Sequence, residues 1–155
     1  MQINGSTVFV TGSNRGLGRS LVEQLLERGA AKVYAAARSL EAIPKHERVV
    51  PVRLDITRPE DVKAAAAQVD SLDLLINNAG LLVSFSAVES QLDAIERDMQ
   101  TNYFGTLAVT RALLPAGTPQ KVGSDQAVVG GRQSGRAVVA AIGDKRAGGP
   151  RAIVG

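Results

Sequence analysis

Three glycines in "TGSNRGLG", Gly12, Gly16 and Gly18, stand in a G-x-x-x-G-x-G spacing directly after a β-branched apolar run, residues 6–11, and directly before a leucine-rich segment. That arrangement suits the seating of a pyrophosphate. Glycines permit a tight turn and close backbone approach, and the N–H groups that open a helix, with the helix dipole, receive the anion. A glycine pattern alone is weak. The strand before it and the helix after it give it weight. The residues of this loop, Gly12, Ser13, Asn14, Arg15, Gly16, Leu17 and Gly18, are the first candidate binding residues.

Further along stand a possible charge clamp and two polar turns. A site for a dinucleotide with a free ribose 2′-hydroxyl wants an acid some 20 residues past the loop, at the end of the second strand. That place reads "AAARS", with Arg38 and no acid. Two guanidiniums, Arg15 and Arg38, suit a 2′-phosphate instead. The alternative reading is two solvent-facing arginines. "RLDIT" puts Asp55 and Ile56 just past the third strand, where an Asp also serves as a turn or helix cap, and "NNAG" (Asn77, Asn78, Ala79, Gly80) follows the fourth.

The elements that must position these residues follow from periodicity. Residues 6–11, 31–37, 48–54 and 72–78 read as strands, the third despite Pro51. Leu17, Leu21 and Leu25, widened by Val22 and Leu26, predict an amphipathic helix stopped by Gly29. "RPEDVKAAAAQV" (58–69) predicts a helix with proline and acids in its first turn. A long helix is expected over 90–114, with Ser90 as N-cap and Leu92, Ile95, Met99, Thr106, Val109 and Leu113 on one stripe. Alternating strands and helices, with strands apolar on both faces, predict an α/β, doubly wound parallel sheet.

Spacing and order together, the G-x-x-x-G-x-G loop and "NNAG" after the fourth strand, resemble the short-chain dehydrogenase/reductase family over residues 3 to about 115. The resemblance implies hydride exchange between NAD(H) or NADP(H) and a small carbonyl or alcohol. With Arg15 and Arg38 in place, NADP is the expected cofactor. It implies that Asp55 accepts a hydrogen bond from the adenine amino group with Ile56 beside the ring. Asn77 is expected to brace the sheet and the small residues Ala79 and Gly80 to make room for the cofactor's ribose, with Asn78 also among the cofactor-binding residues. Asn102 matches the family's asparagine that holds a water in the proton relay. The rest of the family's catalytic set, a serine and a Tyr-x-x-x-Lys pair, is missing. The chain's two tyrosines, Tyr34 and Tyr103, have Arg38 and Leu107 four residues on.

Composition bounds what else the chain can be. Its 155 residues suggest one domain. No apolar run approaches 18 residues, and "MQINGSTVFV" enters a strand at once, so neither a membrane span nor a leader is expected. The absence of cysteine fits the cytoplasm and excludes thiolate metal sites, and the single histidine, His46, argues against a histidine metal cluster or a Ser-His-Asp triad. The language changes at Ala116, dividing the chain into a binding portion, 1–115, and a Gly/Ala/Arg-rich tail, 116–155. The tail holds nine of the 16 glycines, no leucine and no aromatic residue. It carries 6 Lys/Arg against 2 Asp/Glu, whereas 1–115 carries 12 against 13, so the net charge of +3 is the tail's. Its cations are dispersed and lack aromatic partners, which argues against nucleic acid. With few large apolar side chains it is expected to be loosely ordered, with short strands possible in "AVVGG", "RAVVAAIG" and "RAIVG". Such composition suits out-of-frame reading of GC-rich DNA. Two readings therefore stand: a truncated or frameshifted oxidoreductase, inactive alone, or a non-catalytic NADP-binding or partner-binding module. The long helix is half of the family's common dimer interface, so an oligomer is open.

Overall fold

A computed structural model describes residues 3–84, 86, 88–116 and the short strand Ala140–Ala141. Four parallel strands, β1 (Thr7–Thr11), β2 (Lys32–Ala37), β3 (Val49–Arg53) and β4 (Leu74–Ile76), lie in the order β3-β2-β1-β4. The expected doubly wound α/β sheet is present. β5 (Ala140–Ala141), inside "RAVVAAIG", pairs antiparallel with Leu74 and Leu75, so the outer edge of β4 is paired at two positions. The expectation for the remainder of the 116–155 tail lies outside the described residues.

Alternate residues of β1 face opposite layers, as the pleat requires. Phe9, with Tyr34, Val52 and Leu75, packs under Val62, Ala65, Val109 and Leu113. Val8 and Val10, with Val33, Ala35, Leu74 and Ile76, pack under Val22, Leu25 and Leu26. Burial on both faces explains why these strands are apolar without alternation. Pro51 is tolerated because β3 is the edge strand, where a missing donor costs no ladder bond.

The helices differ from expectation in phase. In α1 (Gly16–Glu27) the buried face is Gly18, Val22, Leu25 and Leu26, and Leu17 stands 46% exposed. α2 (Pro59–Ala66) starts as expected, with Pro59, Glu60 and Asp61 in its first turn, but ends three residues early. The long helix is three pieces: α3 (Leu92–Met99), a π-helical segment (Gln100–Gly105) and α4 (Thr106–Leu113). Gln91, not Ser90, is its capping residue, and the Ser90 hydroxyl accepts the N–H of Ser86. Thr106, Val109 and Leu113 are buried, whereas Leu92 and Met99 are exposed. One extra residue per π turn rotates what precedes it by about 100°. A single stripe through the whole segment was therefore the wrong geometry.

Candidate functional site

β1 has β2 on one side and β4 on the other, so the crossovers leave in opposite directions and open a crevice at the C-terminal ends of β1 and β4. The glycine loop fills that crevice. Gly12 and Gly16 hold φ of +68° and +52°, a region that side chains resist. A Cβ on Gly12 would lie 3.0 Å from Ala79 Cα, so the loop and the "NNAG" turn touch through backbone. Gly18 is tighter still: its Cβ would lie 2.1 Å from the Gly12 carbonyl oxygen.

At the head of α1, Arg15 is extended, no side chain caps the helix, and its first turn holds no acid. Orphan N–H groups at such an end are free to meet an anion. Arg15, Gly16 and Leu17 are exposed, and Asn14 is half-buried. Ser13 behaves differently. It is fully buried, its hydroxyl donating to Val10 O (2.7 Å) and its N–H to Ala36 O (3.0 Å), so both donors are spent inside the protein. Its side chain shapes the turn.

Arg38 stands exposed one residue past β2, and its charge reaches Asp55 at the end of β3. Asp55 Oδ1 accepts from the Thr57 N–H (3.0 Å) and hydroxyl (2.7 Å), while the Asp55 N–H donates to Asp61 Oδ2 (3.0 Å). The turn reading of this aspartate is therefore realised. Burial opposes its ionisation, but the two Thr57 bonds and the charges of Arg38 and Arg58 hold its carboxyl below the ordinary value. Ile56 is buried beneath Gly105, whose Cβ would lie 2.9 Å from it. A groove of about 520 Å³ opens beyond Ile56, between α2 and α4, lined also by Val62, Phe104 and Ala108.

The two asparagines of "NNAG" divide their work in a way the motif did not disclose. Asn78 braces the sheet: its Nδ2 donates to Thr11 O (2.9 Å) and Gly12 O (3.1 Å). Asn77, buried, donates to the Thr110 hydroxyl (3.1 Å) and so ties β4 to α4. Thr11 completes the brace, its hydroxyl accepting the N–H groups of Asn78 and Ala79, both at 2.9 Å. Gly80 is exposed, and a Cβ there would crowd Asn102 at 3.3 Å.

Asn102 lies in the π segment, where its Oδ1 accepts the Leu81 N–H (2.8 Å) and its Nδ2 donates to Leu81 O (2.6 Å). Both ends of the amide are engaged in a backbone clasp. Tyr34 is buried with its ring stacked on Phe9, and Tyr103 is exposed with Phe104 edge-on, so neither joins Asn102 in a reaction centre. Sequence reasoning missed Thr11, Asp98, Gly105 and Thr110. Only Gly105 carried a signal, as a glycine inside a predicted helix. Among the described residues no three His, Cys, Asp or Glu side chains gather as a metal site, and no helix is long and apolar enough to cross a membrane.

Comparisons with known proteins agree with this geometry. The family model described as short chain dehydrogenase matches residues 6–128. A short chain dehydrogenase of Aspergillus terreus is 35% identical over 129 residues, covering 74% of this chain and 28% of that protein. A dehydrogenase/reductase SDR family protein 7-like of Anopheles gambiae is 33% identical over 137 residues, covering 78% of this chain and 43% of its own length. Among solved structures, a short chain dehydrogenase from Burkholderia cenocepacia in complex with NADP is 49% identical, with a TM-score of 0.72 over 75% of this chain and 50% of that one. NADPH-bound carbonyl reductase from chicken fatty liver is 32% identical, with a TM-score of 0.67 over 73% and 48%. The chain thus spans half or less of the length of each of these proteins.

Proposed function

Because this chain belongs to the short-chain dehydrogenase family, we propose that it is the NADP(H)-binding portion of a carbonyl or alcohol oxidoreductase and binds cofactor without turning over substrate. The observation that carries the binding reading is the uncapped, acid-free head of α1 behind Gly12 and Gly16, with Arg38 where a 2′-hydroxyl site would want an acid. The fit is geometric as well as electrostatic: Gly16 opens onto empty space, with nothing within 4 Å of where a Cβ would stand. In this reading the first-turn N–H groups seat the pyrophosphate, and Arg15 and Arg38 flank the 2′-phosphate. Asp55 and Ile56 border the adenine, and residues 78–80 the nicotinamide-side ribose. Bound cofactor would supply the hydride as NADPH or accept it as NADP⁺; what the chain supplies is position.

Absence of turnover rests on the missing tyrosine and lysine. Asn102 is an amide that neither gains nor loses a proton near neutral pH, and these 155 residues hold no Tyr-x-x-x-Lys pair to move the proton to or from the substrate oxygen. The same absence favours the second reading, a dinucleotide-binding module that acts through a partner. Calorimetric titration of the full chain with NADP⁺ and NAD⁺ tests the binding reading. NADP⁺ is expected to bind more than tenfold tighter, a difference of about 1.4 kcal/mol. Arg38→Ala should erase most of that preference. Equal or reversed affinities in the wild type reject it.

A further inference from the structure

Immediately after the turn at residues 78–80, the chain is held against α3 and the π segment by two side chains four residues apart. Asn102 clasps Leu81 at one point. Asp98, buried at 8% exposure, clasps the next: Oδ1 accepts the Val83 N–H (2.9 Å), and Oδ2 accepts the Ser84 N–H (2.9 Å) and hydroxyl (2.5 Å). Three donors converge on one carboxylate. Charge-assisted bonds of this kind are about twice as strong as neutral ones, and two of these fix backbone.

We propose that Asp98 is a positioning residue for the dinucleotide site, its carboxylate fixing residues 83 and 84 and thereby holding Ala79 and Gly80 against the glycine loop. The path is short. Ala79 sits against Gly12 and bonds to Thr11, Gly80 lies against Asn102, and Leu81 is tied to that same asparagine. Loss of the Asp98 clasp leaves Asn102 alone to set the direction in which the chain leaves the turn. The inference rests on the NADP-binding reading above.

Its charge state follows from the same contacts. The Ser84 hydroxyl, against burial, and the N–H groups of Ser84 and Val83, with Arg97 beside it, hold the Asp98 carboxyl below the ordinary value. Residues 81–84 bring no charge to it, and on its own helix Asp93 and Glu96 are exposed. A depressed folded value means that the clasp is fully formed above the ordinary aspartate range and is lost as pH falls through the depressed value.

The test is NADP⁺ affinity of the full chain, wild type beside Asp98→Asn, from pH 7.5 into the acid range. At neutral pH the variant should bind about five- to tenfold more weakly, at the lower end of couplings transmitted through packed structure. The ratio of the two affinities should fall towards one in acid, because protonated Asp98 then resembles the amide, and titration of the cofactor phosphate and of Asp55 cancels in the ratio. A merely structural role predicts a lower Tm for Asp98→Asn with an affinity ratio near one at every pH. Ser84→Ala keeps the carboxylate and both backbone bonds, so it stands in if Asp98→Asn does not fold; its acid step should move to higher pH. A neutral-pH ratio near one, or a ratio unchanged in acid, overturns the proposal. Amide exchange at Val83 and Ser84 separates it from the reading beneath. Protection lost in Asp98→Asn beside a wild type that binds no NADP⁺ would keep the clasp but overturn its link to the cofactor along with the function. Unchanged protection overturns the clasp itself.

Discussion

Replacing Gly18 with alanine sets helix propensity against packing, and the structure says which wins. In an open helix the change is favourable by about 1 kcal/mol. Here the new methyl would stand 2.1 Å from the Gly12 carbonyl oxygen and 2.4 Å from Asn78 Nδ2, with backbone on the far side of the first contact. Neither neighbour is the free end of a flexible chain, because Asn78 Nδ2 is already bonded to Thr11 O and Gly12 O. Relief requires α1 to move off the sheet by about 1.4 Å or the Gly12 carbonyl to turn, since ordinary contacts lie near 3.5 Å. Overpacking of this kind costs about 1–3 kcal/mol, and losing the Asn78 bonds about 1 kcal/mol each. Net of propensity, the loss is about 2–4 kcal/mol, a fall in Tm of roughly 4–16 °C. NADP⁺ affinity should drop at least about tenfold, since the displaced carbonyl belongs to the phosphate loop. Gly16→Ala is the control. Its φ of +52° costs about 1 kcal/mol, but nothing lies within 4 Å of the new methyl. Thermal denaturation with calorimetric titration reads both. Gly18→Ala matching the wild type, or harming it less than Gly16→Ala, would refute the packing argument.

Gly105→Ala should push the π segment off Ile56, 2.9 Å away, costing about 1–3 kcal/mol by urea denaturation and weakening adenine-containing ligands, 5′-AMP included. Asp55→Asn should cost about 1 kcal/mol at neutral pH; because the Asp55 carboxyl is depressed when folded, that deficit is full above the ordinary aspartate range and closes as pH falls through the depressed value, which paired melts at pH 7 and pH 3 would show. No NADP(H)-dependent turnover should be detectable by absorbance with any panel of carbonyls or alcohols. Activity that disappears when Gly16 is changed to tryptophan would prove a real reaction centre and sink that expectation.

Legibility in the sequence followed how local each determinant is. The loop at 12–18 could be read because its requirements, positive φ and close approach, are met by glycine alone, and the strands because burial on both faces leaves an unbroken apolar run. The long helix was misread where periodicity assumes 100° per residue. The π segment breaks that phase at Gln100, so Leu92 and Met99 left the buried face to which Val109 and Leu113 belong. That Asn78 ties the turn to β1 while Asn77 ties β4 to α4 was invisible, because neighbouring residues at a strand end point to opposite sides and the sequence does not say which side holds the helix. Asp98 looked like any charge on an amphipathic helix. Its three donors lie 14 and 15 positions away in a loop without periodicity, and no spacing rule reaches them.

The strand order has a consequence for how the chain comes into being. β1 is flanked by β2, about 25 residues later, and by β4, about 66 residues later. A ribosome therefore releases the glycine loop long before the wall that completes its crevice, and long-range pairings of this kind are the slow ones to form. A nascent chain cut before Leu74 carries the loop with one bare flank, and Thr11 has no Asn78 to receive. Closure waits for the residue 77–80 turn, and the clasps on it wait for Asp98 and Asn102. On the proposed NADP-binding reading, recognition of the dinucleotide is a late event in synthesis, and the ligand would report on whether the β1–β4 seam has closed.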